Sequence, residues 1–468
     1  MANTEIRRTS GSTPTDAEKF TLSLWFKKSK NAQSSERGLL GWRENSNDGN
    51  NSLQVEFQTT DKFQVQFISN NGNDTHINLV TNRQLSDTSA WYHLVIAVDS
   101  SQSTASDRAK IYFNGVQETS FGSATYPANG RTFSSNDIQI NFGKSRGTTG
   151  SDRFFNGAMS HIHFIDGTAY DASYFGETDA TTGEWKIKTS PSVTYGNNGF
   201  FWLKDDIAAT DYSPNSNTWI SGGGTLTKTE DNPSNVFATM NPLISQTAGV
   251  AGRNDPIDAK FFNGNTTIAT SVAYWTPQLG NMEMFSGKYY WEQKFEVDGT
   301  PSNYLSWIGI EATDTAGTAL GNPSGTNANG IAYGTGGVVN KSNSSQSGSW
   351  STWTAGDIVM CAVDLDNNYI YFGKNGTWQN SGVPTSGGSG TGGVAVTTGK
   401  SYITASTIHR GGNYSINTTY SYAKSNFGNG YFGTTAVSSA GTNASGNGIF
   451  EYDVPTGFTA LSTKGLNL

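Results

Sequence analysis

Three acidic side chains alternate along one short segment of the chain, and they are the first candidates for catalysis. Glu292, Glu296 and Asp298 fall on one face of a predicted strand, with Lys294 between them. Hydrolysis of a glycosidic bond needs two carboxyl groups that face the same cleft. The three-carboxylate spacing of glucanases is not met, and a solvated strand face explains the pattern better. The sequence also contains no nucleophile elbow, phosphate loop or zinc-protease helix. We therefore predict no catalytic residue and no enzymatic activity.

Two histidines and one acidic turn are the candidates for metal binding. His161 and His163 lie two residues apart on a predicted strand, so both rings emerge on one face, as a pair of metal ligands requires. No third histidine or cysteine is close in sequence, and a polar sheet face accounts for the pair. The segment Asp364 to Asn368 begins like a calcium loop, but it lacks the central glycine and has Asn375 in place of the bidentate glutamate. We predict a turn there and no metal site.

Tryptophans in polar loops are the candidates for ligand binding. The chain has 12 tryptophans, and an indole that stands in a Gly/Ser/Asn loop can stack on the apolar face of a sugar ring. Four tryptophans have this setting: Trp42, Trp350, Trp353 and Trp378. The alternative is that they cap the core, as we expect for Trp91 and Trp291 and as strand-flanking positions favour for Trp353 and Trp378.

Charge and cysteine content exclude several functions. The formal net charge is -8, and no cluster of Lys and Arg offers a surface for nucleic acid or an anionic membrane. Cys361, the single cysteine, lies in an apolar run, so we expect a buried, inert thiol and no disulfide. The N-terminal segment has no apolar signal region, and no segment reaches the roughly 18 apolar residues of a membrane helix. We expect a soluble protein that is made in the cytoplasm without export by the Sec pathway.

The elements that would carry these residues are predominantly strands. Charged residues make up 15% of the chain, below the usual ~25%, and polarity comes from Ser, Thr, Asn and Gly between short apolar runs. Phe20 to Phe26 alternates as a strand with one core face. The run from Trp91 to Ser100 is apolar on both faces and predicts a central strand. Ile358 to Trp378 predicts an antiparallel meander, with a two-residue turn at Asn375-Gly376.

This meander also carries a family resemblance. Three segments follow one another as the strands of SPRY domains do: GKYYWE from Gly287, WIGIEA from Trp307 and GDIVMCAVDLDNNYIYFGKNGTW from Gly356. The order resembles that of SPRY domains, which are bent antiparallel β-sandwiches. The resemblance implies a module that binds through its end loops and carries no catalytic machinery.

The N-terminal half resembles a second family. The block FTLSLWFKKS, WYHLVIAVDS, AKIYFNG, INFGKS and FFNGAMSHIHFIDG is similar in order and spacing to laminin-G-like, concanavalin A-type jelly rolls. That fold implies two packed sheets with ligands at a sheet face or loop rim. Jelly rolls of this type often hold calcium in Asp/Asn loops, and Glu44 to Ser52 or Asp152 would be available, although no specific motif selects them. We therefore assign no cofactor and leave calcium open.

The predicted architecture is all-β, with two tandem antiparallel β-sandwiches. We expect an N-terminal arm over 1–17, a laminin-G-like jelly roll over 18–206, a Gly/Ser/Asn-rich linker over 207–230 and a SPRY-like sandwich over 231–468 with a closing strand near its C-terminus. The long loops 317–330 and 381–393 are expected to bind ligands or pack against neighbours.

Two further segments suggest a source. FIDGTAYDASYFGETDATTGEWK with YGNNGFFWLKD, and DNPSNVFATMNPL, resemble segments that flank such domains in structural proteins of tailed bacteriophages. The resemblance implies a virion surface protein, in a tail fibre, appendage or head fibre, that is a homo-oligomer and binds host-surface polysaccharide through its loops. The first alternative is a capsid decoration or tail structural protein that contacts only other virion proteins. The second is a glycan depolymerase.

Overall fold

The computed structural model describes residues 4–29, 31, 37–44, 51–69, 72–133, 137–146, 152–203, 210–242, 259–271, 276–299, 305–315, 329–342, 344–409 and 420–467. These residues form two compact units, Met1–Lys228 and Thr229–Leu468. Both units are built from antiparallel sheets, which confirms the predicted all-β class. The helices in the described ranges are short 3₁₀ turns, at Ala105–Asp107, Ala172–Tyr174, Thr313–Thr315, Pro384–Ser389 and Gly465–Asn467. Within those ranges no helix has the length and apolar character needed to span a membrane.

The first unit contains eighteen described strands. They are β1 (Glu5–Thr9), β2 (Lys19–Lys28), β3 (Arg37–Glu44), β4 (Ser52–Phe57), β5 (Lys62–Ser69), β6 (Asp74–Gln84), β7 (Tyr92–Asp99), β8 (Ala109–Phe113), β9 (Val116–Gln117), β10 (Phe121–Thr125), β11 (Ile138–Phe142), β12 (Lys144–Arg146), β13 (Asp152–Phe154), β14 (Gly157–Asp166), β15 (Gly176–Thr178), β16 (Trp185–Ile187), β17 (Phe200–Trp202) and β18 (Ile220–Gly223).

Two sheets enclose the core of this unit. The larger follows the order β10-β6-β5-β4-β3-β11-β1-β18, with the β12–β13 hairpin attached at β3, and the smaller follows β17-β14-β2-β7-β8-β9. The alternating apolar residues of β2, including Leu22 and Leu24, are fully buried between the sheets, as predicted. β7 lies between β2 and β8, and Val95 on its other face is buried by a second, smaller apolar cluster that includes Phe175. The prediction of a central strand covered on both faces is therefore confirmed.

The boundaries of this unit differ from the predicted ones. β1 lies inside the segment predicted as an arm, and it pairs with both β11 and β18. β18 in turn lies inside the predicted linker, where Trp219 is buried and stacks on Trp202 with ring centroids 5.2 Å apart. The described residues of the predicted arm, and those of the predicted linker up to Lys228, therefore belong to the first unit. The polar composition suggested a free arm and a free linker, but both segments are attached because their backbones pair with strands of the unit and the Trp219 indole is buried in its core.

The second unit contains seventeen described strands. They are β19 (Lys260–Phe262), β20 (Thr267–Thr270), β21 (Thr276–Met284), β22 (Lys288–Val297), β23 (Leu305–Ala312), β24 (Ile331–Gly334), β25 (Val338–Lys341), β26 (Ser344–Ser345), β27 (Ile358–Asp364), β28 (Tyr369–Lys374), β29 (Thr377–Trp378), β30 (Val394–Ala395), β31 (Tyr402–His409), β32 (Ser421–Asn426), β33 (Tyr431–Phe432), β34 (Thr435–Ala436) and β35 (Thr459–Ala460).

The predicted meander is at the centre of this unit. The larger sheet of the second unit follows the order β19-β20-β32-β22-β27-β28-β29, and the meander supplies its last three strands. The smaller sheet follows the order β21-β31-β23-β24-β25-β26. Asn375 and Gly376 have φ values of 47° and 83°, the left-handed turn that joins β28 to β29, so this prediction is confirmed. Cys361 is fully buried in β27, and burial raises the pKa of its thiol well above the usual value.

The C-terminal segment covers part of the outer face of the larger sheet. Its pairing is limited to β35, two residues that run parallel to β22 beside Tyr289 and Tyr290. The rest of residues 427–461 packs through side chains, among them Phe450, whose ring meets Tyr290 edge-on at 4.9 Å. The closing strand that the sequence predicts near the C-terminus is therefore short: β35 contributes two residues to this sheet, and most of the remaining contact is made by side chains.

Candidate functional site

Two of the four candidate tryptophans are core residues. Trp42 is 2% exposed and meets Phe20 and Phe164 edge-on, with ring centroids 4.8 and 5.5 Å apart. Trp353 is 3% exposed and packs against Phe295 and Tyr333. A ring enclosed in this way offers no face to a sugar. The structure thus corrects the assignment of Trp42 and Trp353 as ligand contacts, because both indoles point inward from their polar surroundings.

The other two tryptophans are half-buried and do not form a common platform. Trp350 lies against Tyr333 and Phe372 at the margin of the core between the sheets. Trp378 pairs across β28–β29 with Gly373, the residue after Phe372, and therefore lies on the opposite face of the sheet. The two indoles lie on opposite sides of the sheet, so each remains a separate candidate for ligand contact.

The long loop 381–393 packs on its own unit. A Cβ atom at Gly390 would lie 2.1 Å from the ring of Tyr369, and one at Gly393 would lie 2.7 Å from the ring of Tyr371. Only glycine permits so close an approach, so this stretch of the loop covers the outer face of β28. Most of the other long loop, 317–330, falls outside the described residues.

Glu292 is the most enclosed of the three candidate carboxylates. It is fully buried, and its oxygens accept hydrogen bonds from the Tyr290 hydroxyl and from the backbone N–H groups of Glu451 and Tyr452, each at 2.9 Å. Burial raises the pKa of Glu292 to about 7, although these donors act in the opposite direction. The expectation of a solvated strand face is therefore wrong at this position, because the C-terminal segment covers it.

The other two carboxylates remain at the open end of the same strand. Glu296 forms ion pairs with Lys424 and with Lys294, the latter at 3.3 Å. Asp298 accepts a hydrogen bond from the hydroxyl of Tyr422 at 2.9 Å. For these two residues the structure agrees with a partly solvated face.

These carboxylates lie beside a pair of tyrosines that the sequence analysis overlooked. Tyr420 and Tyr422 occupy the same face of β32, with ring centroids 6.1 Å apart and planes inclined at 41°. Lys260 donates a hydrogen bond to the Tyr420 hydroxyl at 2.6 Å. We call the group Lys260, Glu296, Asp298, Tyr420, Tyr422 and Lys424 the tyrosine surface. The signal in the sequence was the alternation Tyr-Ser-Tyr-Ala-Lys, whose outward positions are aromatic or charged.

The tyrosine surface combines apolar rings with fixed polar groups. Both rings are half-buried, and each hydroxyl is held by a charged partner. Burial and the Asp298 carboxylate raise the pKa of Tyr422 to about 12, so its hydroxyl remains a neutral donor at physiological pH. An aromatic ring with oriented polar neighbours can stack on a sugar ring and bond its hydroxyls.

The candidate metal ligands have other partners. His163 bonds the Tyr195 hydroxyl at 2.9 Å and stacks on Phe201 at 4.0 Å, and burial holds its pKa well below the usual value. The Nδ1 atom of His161 lies 2.8 Å from the Ser160 hydroxyl. In the described parts of the chain, no group of three or more His, Cys, Asp or Glu side chains has a geometry that could hold a metal.

The acidic turn is fixed by hydrogen bonds and one ion pair. Asp364 accepts a hydrogen bond from the backbone N–H of Asn367 at 2.9 Å and pairs with the Lys288 ammonium at 2.9 Å. This geometry is that of a side-chain-stabilised turn, as predicted. Of the calcium candidates, residues 45–50 and the side chain of Asp152 lie outside the described residues.

Comparison with known proteins defines the two folds. Residues 3–172 match the family model of the concanavalin A-like lectin/glucanases superfamily, and residues 288–398 match that of the SPRY domain. One segment of the chain thus matches a laminin-G-like, concanavalin A-like family and a later segment matches the SPRY family. No curated protein matches the sequence.

Several solved structures are similar to parts of the chain. The SPRY domain of human HERC1 is 16% identical over 40% of this chain and 96% of its own, with a TM-score of 0.26. The heptameric SAP-like pentraxin of Limulus polyphemus is 12% identical over 48% of this chain and 90% of its own, with a TM-score of 0.30. A "putative carbohydrate binding protein" from Bacteroides ovatus is 14% identical over 48% of this chain and 58% of its own, with a TM-score of 0.30.

Proposed function

We propose that this chain is a glycan-binding protein of a tailed-phage particle, which holds host-surface polysaccharide without cleaving it. Each contact is weak, and repeated copies on the particle raise the effective concentration of the sites. The phage assignment rests on the flanking segments described above, and the binding assignment rests on the surface chemistry of the second unit.

The observation that carries the binding assignment is the tyrosine surface. Two neighbouring rings on a sheet face are accompanied by two carboxylates and by lysines within ion-pair distance. The two lysines of the tyrosine surface balance its two carboxylates, so the face has little net charge, and it presents oriented donors and acceptors to an uncharged, hydroxyl-rich ligand.

A second candidate function, structural contact with other virion proteins, is favoured by isolated exposed apolar side chains. Phe285, in the turn between β21 and β22, is 69% exposed, and Val116 on β9 is 62% exposed. Burial of either side chain against a second protein would stabilise the contact by roughly 25 cal/mol for each Å² of apolar area removed from water. Phe285 precedes β22, whereas Glu296 lies near the other end of that strand, about 26 Å from its first residue, Lys288, at a rise of roughly 3.3 Å per residue.

A glycan array tests the two candidates with matched variants. The purified full-length protein is coupled to beads and exposed to bacterial surface polysaccharides. We expect retention that falls at least about tenfold in the double variant Tyr420→Ala/Tyr422→Ala, because stacking on both rings is lost. Phe285→Ser, an exposed aromatic at the opposite end of β22, is expected to bind as the original protein does.

The outcomes separate the proposals. No retention on any polysaccharide, together with no adsorption to host cells, would contradict glycan binding. If phage particles assembled with the Phe285→Ser variant no longer carry the protein, the structural role is favoured. Release of free sugar that disappears after a single carboxylate substitution would favour the depolymerase.

A further inference from the structure

A small hairpin packs on the outer face of the smaller sheet in the first unit. Its strands, β15 and β16, form a two-stranded sheet of their own, so side chains make its contacts with the neighbouring sheet. One of these side chains is Trp185, which packs against the apolar cluster around Val95. A Cβ atom at Gly115 or at Gly176 would lie 2.5 Å from the Trp185 indole, so only glycine leaves room for the ring at these two positions.

Trp185 contacts His93 of β7 with both its ring and its N–H group. Trp25 and Trp185 both stack on the His93 ring, with centroids 4.8 and 5.9 Å away and planes inclined at 19° and 21°. The indole N–H donates to the Nδ1 atom of His93 at 3.0 Å, and the Nε2 atom lies 2.9 Å from the Ser23 hydroxyl. Because an indole N–H can only donate, Nδ1 must be an unprotonated acceptor. The ring is therefore fixed as the neutral tautomer that carries its proton on Nε2.

Protonation of His93 and attachment of the hairpin oppose each other. An imidazolium has an N–H group on both nitrogens, so a proton on Nδ1 would face the N–H group of Trp185. His93 is fully buried, and a buried charge without a partner is strongly destabilising. Burial lowers the pKa of His93 to about 3. Once the hairpin is detached, the ring meets water and titrates near its usual pKa of about 6.5.

The groups around His93 offer no compensating negative charge. The titratable side chains on the same face of the packed strands are Lys27 on β2, Asp99 on β7, Lys110 and Tyr112 on β8 and His163 on β14. Asp99 lies six residues from His93, about 20 Å along the strand. Glu177 and Lys186 of the hairpin pair with each other on the face opposite to Trp185. A charge on His93 also lowers the pKa of His163, so the two histidines oppose each other's protonation.

We propose that His93 is a pH-sensitive switch, which keeps the hairpin attached while its ring is neutral and detaches the hairpin when the ring is protonated. Detachment uncovers His93 and Val95 on the outer face of the sheet. Because the attached state has the lower pKa, the contribution of His93 to attachment is fully present above about pH 6.5 and is lost as pH falls. One linked proton raises the equilibrium constant for opening about tenfold for each pH unit below about 6.5, which gives about 25-fold between pH 7 and pH 5.

Hydrogen exchange of the full-length protein tests this switch. Exchange is measured at pH 7, 6 and 5 in residues 176–187 and corrected for the intrinsic pH dependence of amide exchange. We expect the opening equilibrium to increase at least about 25-fold between pH 7 and pH 5. His93→Gln does not titrate, yet its amide can still accept a hydrogen bond from Trp185, so this variant should lose most of the increase. His76→Gln is the matched control, because His76 is a partly exposed histidine on β6 of the other sheet that bonds the Ser69 hydroxyl at 2.7 Å.

An increase that is lost in His93→Gln and kept in His76→Gln supports the inference. No increase, equal increases in the two variants, or an increase that His163→Gln abolishes and His93→Gln retains overturns it. Equal acceleration in β4 and β5 overturns it as well, because that result would indicate unfolding of the whole unit.

An NMR titration of the histidine rings in the original protein keeps the test valid if His93→Gln does not fold. A His93 ring that titrates near pH 6.5 while residues 176–187 stay protected from exchange overturns the inference. A ring that titrates only as those residues lose protection supports it.

Discussion

Glu292 and Glu296 lie four residues apart on the same face of one strand, yet their surroundings differ completely. The C-terminal segment covers the first and supplies two backbone N–H groups to it, whereas the second forms ion pairs with lysines in contact with solvent. The same side chain in the same local pattern is thus a buried attachment point at one end of the sheet and part of a candidate binding surface at the other. Tertiary cover, not strand alternation, separates the two roles.

The largest expected effect is the difference between removing the two carboxylates. Glu292→Ala leaves two buried backbone donors without an acceptor, and we expect the free energy of unfolding of the second unit to fall by about 3 to 5 kcal/mol. Glu296→Ala removes partly exposed ion pairs and should cost less than about 1 kcal/mol. Urea unfolding of both variants measures the difference, and equal losses would show that the C-terminal segment does not depend on Glu292.

Between about pH 4 and pH 7, a change of pH should act on Glu292 at the covered end and not on Glu296, whose pKa is lowered from its usual value by its lysine partners. Burial raises the pKa of Glu292 to about 7, and the unfolded chain titrates near the usual value of about 4.3. The folded state therefore binds a proton between these values, so this residue's contribution to stability is fully present below about pH 4 and declines as pH rises to about 7, by up to roughly 3 kcal/mol.

Glu292→Gln tests this linkage, because glutamine does not titrate. Urea unfolding at several pH values should show a smaller decline with rising pH in the variant than in the original protein. Identical pH profiles for the two proteins would contradict the assignment.

Loosening the cover at a second point should have an intermediate effect. The Oδ1 atom of Asn426 accepts hydrogen bonds from the backbone N–H groups of Gly428 and Gly430, and its Nδ2 atom donates to the carbonyl of Ile449. We expect Asn426→Ala to cost about 2 kcal/mol. Hydrogen exchange should accelerate in residues 427–461 and remain unchanged in β20, and uniform acceleration in both would argue against a separately attached cover.

The smallest effect is expected at the open end. Tyr422→Phe removes one hydroxyl and its hydrogen bond to Asp298 but keeps the ring, so stability should fall by about 1 kcal/mol or less. Glycan retention should decrease only several-fold, because stacking is preserved. A loss as large as that of the double alanine variant would show that the hydroxyl, and not the ring, is the main contact.

Local pattern predicted much of the framework. Alternation in Phe20 to Phe26 identified β2, a run apolar on both faces identified β7, and Asn375-Gly376 identified the turn of the central meander. These signals succeed because side-chain period and turn dihedrals are properties of a few adjacent residues. The order of such segments was also sufficient to identify the two domain types.

The candidate site depended on information that no short segment contains. Polar neighbours suggested that Trp42 and Trp353 were exposed, and equally polar neighbours suggested that β18 was linker, but distant residues bury both indoles and β1 pairs with β18. The tyrosine surface requires β22 and β32, two strands from separate parts of the chain, to pair with each other. The sequence by itself determined which segments become strands and which faces they present, whereas the tertiary structure decided which of those faces stay open, because burial is set by what packs against a strand and not by the strand's own residues.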